Sequence, residues 1–179
     1  MTVTIDVTNG LAVQLACHAQ YLAESELDSQ DYAYMTREAT SVEYALSSLV
    51  DPIWAFFAIP GAELRYARTD EPRRLGRTAT EAPFGEPFAH RIALDIELVI
   101  EVASAYAVQL SAFASLVDQG TATAESIEEH VDPANDALTV KAVLDLLEPD
   151  YIAWSVPSAS VVESVVDPRA VSIEGPDGE

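Results

Sequence analysis

Apolar positions recur along this chain mostly at helical spacing, with one clear alternation at the start. In Thr2–Val7 the residues Val3, Ile5 and Val7 fall on one side of an extended segment, which predicts a short strand. Thr8 or Asn9 can cap a helix running to about Ser25, with Leu11, Leu15, His18 and Leu22 on one stripe. Asp28 or Ser29 can cap a second helix to about Val50. Its apolar positions Tyr32, Met35, Ala39, Val42, Leu46 and Leu49 follow the alternating three-and-four spacing of a helix packed along another helix.

In "DPIWAFFAIP" Asp51 suits an N-cap and Pro52 the first helical position, and the short helix they open stops before Pro60. Trp54, Phe56 and Phe57 cluster here, as core packing or as an aromatic anchor at a subunit interface. Residues 61–90 carry three prolines and three glycines and keep no apolar period. A connection of that length is unusual inside a compact domain and reads as a long irregular arm.

Ile92–Val117 gives the strongest helical expectation. On a helical wheel Glu97, Glu101, Ser104, Ser111 and Asp118 share one sector and the rest is almost wholly apolar, the pattern of a helix central to a bundle. The stretch is long enough to raise a membrane span, but Asp95, Glu97 and Glu101 at its start make that costly. Asp95 falls outside the polar sector, so the helical reading requires a partner for it, with Arg91 one turn earlier or an arginine from 65–77 as candidates. Gly120 ends this helix, and Thr123 caps a short one through about His130. "DPANDALTVKAVLDLLEP" then opens another at Asp132 and Pro133, with Ala137, Val140, Leu144 and Leu147 as its buried stripe and Pro149 as its stop. Tyr151–Pro157, Val161–Val166 and Ala170–Glu174 are short and β-branched, hence strands or extended arms.

The expected architecture is mainly α: a bundle of four to five helices around a central helix near 92–117, with minor β from the termini and an irregular arm near 61–90. One domain over 1–173 and an acidic tail over 174–179 fit the length of 179 residues.

Composition changes this picture in two ways. The apolar fraction of 49% excludes intrinsic disorder, yet the net charge is −21, with a single lysine (Lys141) among nine cationic residues. That balance resembles the protein style of extreme halophiles that accumulate salt in the cytoplasm, or of viruses that infect them, where salt screens self-repulsion within a few ångströms. The chain is therefore expected in such a cytoplasm or in a virus particle. The start "MTVTIDVTNG" has no basic region followed by an apolar run, so no secretion signal is recognisable. A single cysteine, Cys17, excludes an internal disulfide.

Secondly, the charges are unevenly placed. The stretch from Arg65 to Arg91 holds six of the nine cationic residues (Arg65, Arg68, Arg73, Arg74, Arg77 and Arg91) and only four of the thirty acids. Three readings are open: an arm whose arginines fork into the acidic surface of a neighbouring copy, a loop that neutralises acids of its own chain, or a nucleic-acid contact with Tyr66, Phe84 and Phe88 stacking on bases. The last is disfavoured by the anionic body and by high salt.

Candidate chemistry is sparse. No Gly-rich phosphate loop or GxSxG elbow occurs, and His18, His90 and His130 lack metal-ligand spacing. Cys17 reads as a small buried hydrophobe. Neither a catalytic residue, a metal nor a cofactor is expected. The function expected is that of a non-catalytic structural or assembly subunit, homo-oligomeric, of the kind found in virus particles or head-tail connectors. Its partners would be copies of itself or other subunits, without membrane insertion. The candidate interface residues are Arg65, Arg68, Arg73, Arg74, Arg77, Phe84, Phe88, Arg91, Trp54 and Phe57, and the candidate buried ion pair is Asp95 with Arg91. A small helical adaptor binding one protein, or a small enzyme using the Asp/Arg pair, are the alternatives.

Overall fold

A computed structural model describes residues 1–24, 41–75 and 90–166. It is mixed α/β, built on a five-stranded antiparallel sheet, and not a helical bundle. The strands are β1 (Thr2–Val7), β2 (Ala62–Thr69), β3 (Arg73–Leu75), β4 (His90–Val102) and β5 (Ala159–Val165). The described helices are α1 (Gly10–Glu24), α2 (Val42–Leu49), α3 (Ala105–Asp118), α4 (Ile127–His130) and α5 (Asp136–Leu146). Strand order is β2-β4-β1-β5, with β3 also pairing β4.

The main correction falls on Ile92–Val117, expected as one central helix. Its first part is β4 and its second part is α3. The physical reason is a period of two. Ile92, Leu94 and Ile96 are buried on one face, while Arg91, Asp95, Glu97 and Glu101 occupy alternate positions on the other. Ala93 and Val99, apolar residues on the charged side, blurred that alternation into an apparently all-round apolar helix. Ser104 divides the two elements: its backbone is extended, and its Oγ accepts from the Ala107 N–H at 3.3 Å as an N-cap.

The described part of the arm expected over 61–90 is largely sheet: it forms β2 and β3, joined through Asp70, Glu71 and Pro72, and ends at His90 in β4. A single helix from Asp28 or Ser29 to Val50 is not formed, because Ser41 is extended and its Oγ caps α2 through the Tyr44 N–H. The earlier part of that expected helix lies outside the described residues, as do Ala170–Glu174. Tyr151 lies in a 3-10 turn, Pro149–Ala153, and not in a strand.

The chain forms two compact units, one of residues 1–52, 68–97 and 149–165 and one of residues 53–67 and 98–148. In the first unit β1 is central and antiparallel to both neighbours, with Thr2 opposite Asp95 and Asp6 opposite Arg91 on β4, and Ile5 opposite Val161 on β5. Val3, Ile5 and Val7 are buried, as the alternation predicts, together with Val13 and Cys17 of α1 and Val42, Ala45 and Leu46 of α2. Asn9 Oδ1 accepts from the Ala12 N–H to open α1. The α1 stripe is not the expected one. The helix buries Gly10, Val13, Gln14 and Cys17, a row of smaller residues, and leaves Leu15 and Leu22 exposed.

In the second unit Ile59, Val108, Ala112, Ala142 and Val143 form a core where α3 meets α5, with Phe56 and Ile100 packed against it. Buried Gln109 donates from Nε2 to the Asp132 carbonyl at 2.9 Å and to Thr139 Oγ1 at 2.8 Å. The α5 stripe is displaced from the expected one, since Thr139, Ala142 and Val143 are buried while Ala137 is exposed. The helix opens at Asp136, capped by Asn135, and not at Asp132. Gly61, at φ +83°, accepts through its carbonyl from the Ala103 and Ser104 N–H groups. An added Cβ would lie 2.8 Å from the Ser104 carbonyl oxygen, so only glycine fits this junction.

Candidate contact surface

The described arginines of the basic stretch each meet an acid of their own chain. In the first unit Arg91 donates from Nε and Nη2 to both carboxylate oxygens of Asp6, at 2.6 and 2.7 Å. Arg73 Nη2 donates to Asp95 Oδ2 at 2.7 Å, and the Thr2 hydroxyl donates to Asp95 Oδ1 at 2.6 Å. Arg68 reaches Glu97 at 2.7 Å and Asp70 at 3.8 Å. In the second unit Arg65 bridges Glu101 at 2.5 Å and Glu63 at 3.1 Å. The arginines thus act as cross-strand counter-charges for the polar face of β4. Their hydrogen bonds hold the carboxyls of Asp6 and Glu101 below the usual carboxylate range.

The expected Asp95–Arg91 pair is not formed. In a strand the four-residue separation carries the two side chains apart along the chain, whereas a helix would stack them. Asp95 is instead served by Arg73 and Thr2, and Arg91 by Asp6, each directly or nearly opposite across the sheet. Asp95 is not deeply buried, with a side chain that is 40% exposed.

Arg74 is different in its setting. It pairs with Glu43 of α2, and their side chains are only 20% and 16% exposed. Burial pushes the Glu43 carboxyl up, but the hydrogen bond from Arg74 and further bonds from its own N–H and Ser41 bring it below its ordinary value. Beside them lies His90, buried, with no hydrogen-bond partner for Nε2 among the described residues. Burial pushes its imidazole pKa down, and Arg74 pushes the same way against the opposing pull of Glu43. The His90 ring packs on Gly10, where an added Cβ would stand 3.1 Å from Nε2 and 2.7 Å from Val42 Cγ2. The imidazole thus packs directly against the start of α1. Sequence spacing gave no sign of this cluster, because its members come from α1, α2, β3 and β4.

A second cluster lies between α1 and α2. A small open pocket is lined by Cys17, Gln20, Tyr21 and Ser48. The Tyr21 and Tyr44 hydroxyls lie 3.1 Å apart, and that bond raises the Tyr44 phenol above its usual value. Burial also pushes the Cys17 thiol up, with the Ser48 hydroxyl working against it. A thiol held protonated is not primed as a nucleophile.

Among the described residues no group of His, Cys, Asp and Glu could hold a metal ion, and no described helix is long and apolar enough to cross a membrane. What the surface does present is large apolar side chains. In the first unit Leu15, Leu22, Tyr44 and Trp154 are exposed, and in the second Phe57, Ile53 and Tyr106, with Trp54 at 37%. Of the expected interface residues, Trp54 and Phe57 are therefore on the surface. Arg65, Arg68, Arg73, Arg74 and Arg91 are engaged by their own chain, and Arg77, Phe84 and Phe88 lie outside the described residues. No protein-family model, no curated protein and no solved structure matches this chain.

Proposed function

We propose that this chain is a non-catalytic structural or assembly subunit that works as a homo-oligomer in a salt-rich setting, in a salt-accumulating cytoplasm or in a virus particle such as its head-tail connector. The observation that carries this reading is the exposure of large apolar side chains, Phe57 at 57% and Leu15 at 52% among them, on a chain of net charge −21. Leaving such groups in water forfeits roughly 25 cal/mol for each Å² that a partner could cover, and exposed apolar surface is what contact-forming proteins present. The arginine pairing supports the same reading from another side. The described members of the basic stretch are occupied by neighbouring carboxylates, so they form no free track for a phosphate backbone.

Light scattering in molar potassium chloride tests this. A discrete mass at an integral multiple of 19.3 kDa is expected. A monomer at all accessible concentrations overturns the reading in favour of a one-partner adaptor.

A further inference from the structure

We propose that the outer edge of β5 pairs, strand to strand and antiparallel, with the same edge of a second copy of this chain. This inference rests on the assembly reading above and names its contact. β5 closes the strand order, and among the described residues no strand pairs with its outer edge. Val162, Glu163, Ser164 and Val165 are exposed in succession. A strand covered on one face alternates between buried and exposed, so four consecutive exposed positions leave both faces of this end open. Val162 is also the extra residue of a bulge, because Thr4 faces Glu163 and Ile5 faces Val161.

The two ends of the strand order are built differently. Natural sheets guard exposed edges with charge. β3 carries Arg73 and Arg74, and β2 carries Glu63, Arg65 and Arg68. β5, with the sequence Ala-Ser-Val-Val-Glu-Ser-Val, has no proline, no lysine and one charge, Glu163. Its unguarded backbone would suit any extended partner, but its composition selects one. A basic peptide would find a single carboxylate there, whereas a β-branched strand of equally low charge would meet its like. In an antiparallel pairing of β5 with itself, Glu163 faces alanine, serine or valine at every register but the one that sets it against its own copy. A two-fold contact of this kind is self-complementary, the commonest form of homo-oligomer interface. It also confines like-charge repulsion to one residue per copy, in a chain whose overall charge opposes association.

The test uses the full chain in molar salt. Single Ser160→Cys, Val162→Cys and Ser164→Cys variants are oxidised mildly, with the wild type and its buried Cys17 as control. At least one variant is expected to give a covalent dimer that the wild type does not. A Val162→Asp, Val165→Asp double variant changes two exposed positions, so its circular dichroism should match the wild type while its dissociation constant rises at least about tenfold. If the wild type is oligomeric, no cysteine variant crosslinks and the double variant keeps the wild-type mass, the β5 contact is wrong and the assembly reading stands. If the wild type is a monomer throughout, both fall.

Discussion

Arg91 and Asp6 face each other across β4 and β1 and are joined by two parallel hydrogen bonds, Nε to Oδ1 and Nη2 to Oδ2. The guanidinium holds the Asp6 carboxyl below the ordinary carboxylate value. In an NMR titration Arg91→Ala should raise Asp6 back toward the ordinary aspartate value. Arg91→Lys should restore only part of the shift, because an ammonium cannot make the bidentate fork. A titration of Asp6 unmoved by either substitution would break the assignment.

Arg74→Ala removes the partner of a largely buried carboxylate. Glu43 is then left desolvated without its cation, and urea midpoints should show a loss of about 1–3 kcal/mol at neutral pH. The sign with pH follows from the lowered Glu43 value. Its contribution is present above the unfolded value of about 4.3 and disappears as pH falls through the lower folded one. The wild type should therefore lose its advantage over Arg74→Ala on acidification below that point.

Gly10→Ala should destabilise by about 1–3 kcal/mol, because the new methyl meets Val42 Cγ2 and His90 Nε2. Pairing it with Val42→Ala should recover part of the loss, since the closest obstacle is removed. A thermal melt in which Gly10→Ala equals or exceeds the wild type would show that the helix start can shift away from the ring.

His90 gives a separate pH signature in the same high-salt buffer. Its folded value lies below the unfolded value of about 6.5. Its neutral form is thus favoured by folding, and stability should fall as pH drops from neutrality through that window. His18 adds to the slope for the same reason, burial. His90→Leu should flatten the His90 share of it. A wild-type midpoint constant between neutral pH and about pH 5 would contradict the buried neutral imidazole.

Local features of this fold are visible in the sequence, and its long-range pairing is not. β1 is legible from Val3, Ile5 and Val7. The Gly120 stop (φ +71°) is legible because it depends on a single residue, whereas the helix expected from Thr123 is a 3-10 turn, Ala124–Ser126, before the short helix Ile127–His130. β4 was obscured because its alternating face also carries Ala93 and Val99, which a helical wheel spreads evenly. β2 alternates only over Ala62–Arg65, with Leu64 between Glu63 and Arg65, before the pattern breaks at exposed Tyr66, and the prolines that follow suggested an arm. The clue that could have joined them is charge. Acids at 95, 97 and 101 and arginines at 65, 68 and 73 run in opposite orders along the chain, as an antiparallel pair of strands requires. The His90 nook had no such clue, since four separate elements build it.

On this account the protein meets its partners through a strand edge with a single charge and through exposed apolar side chains, while its described arginines serve acids of its own chain. Hydrogen–deuterium exchange on the associated and the diluted protein, in the same molar salt, tests it most directly. The amides of Ala159–Val165 are expected to gain protection on association, and those of β3 and the Arg91 end of β4 to stay as they were. Protection gained around Arg73, Arg74 and Arg91, with β5 exchanging freely in both samples, would contradict the claim and make the arginines the contact.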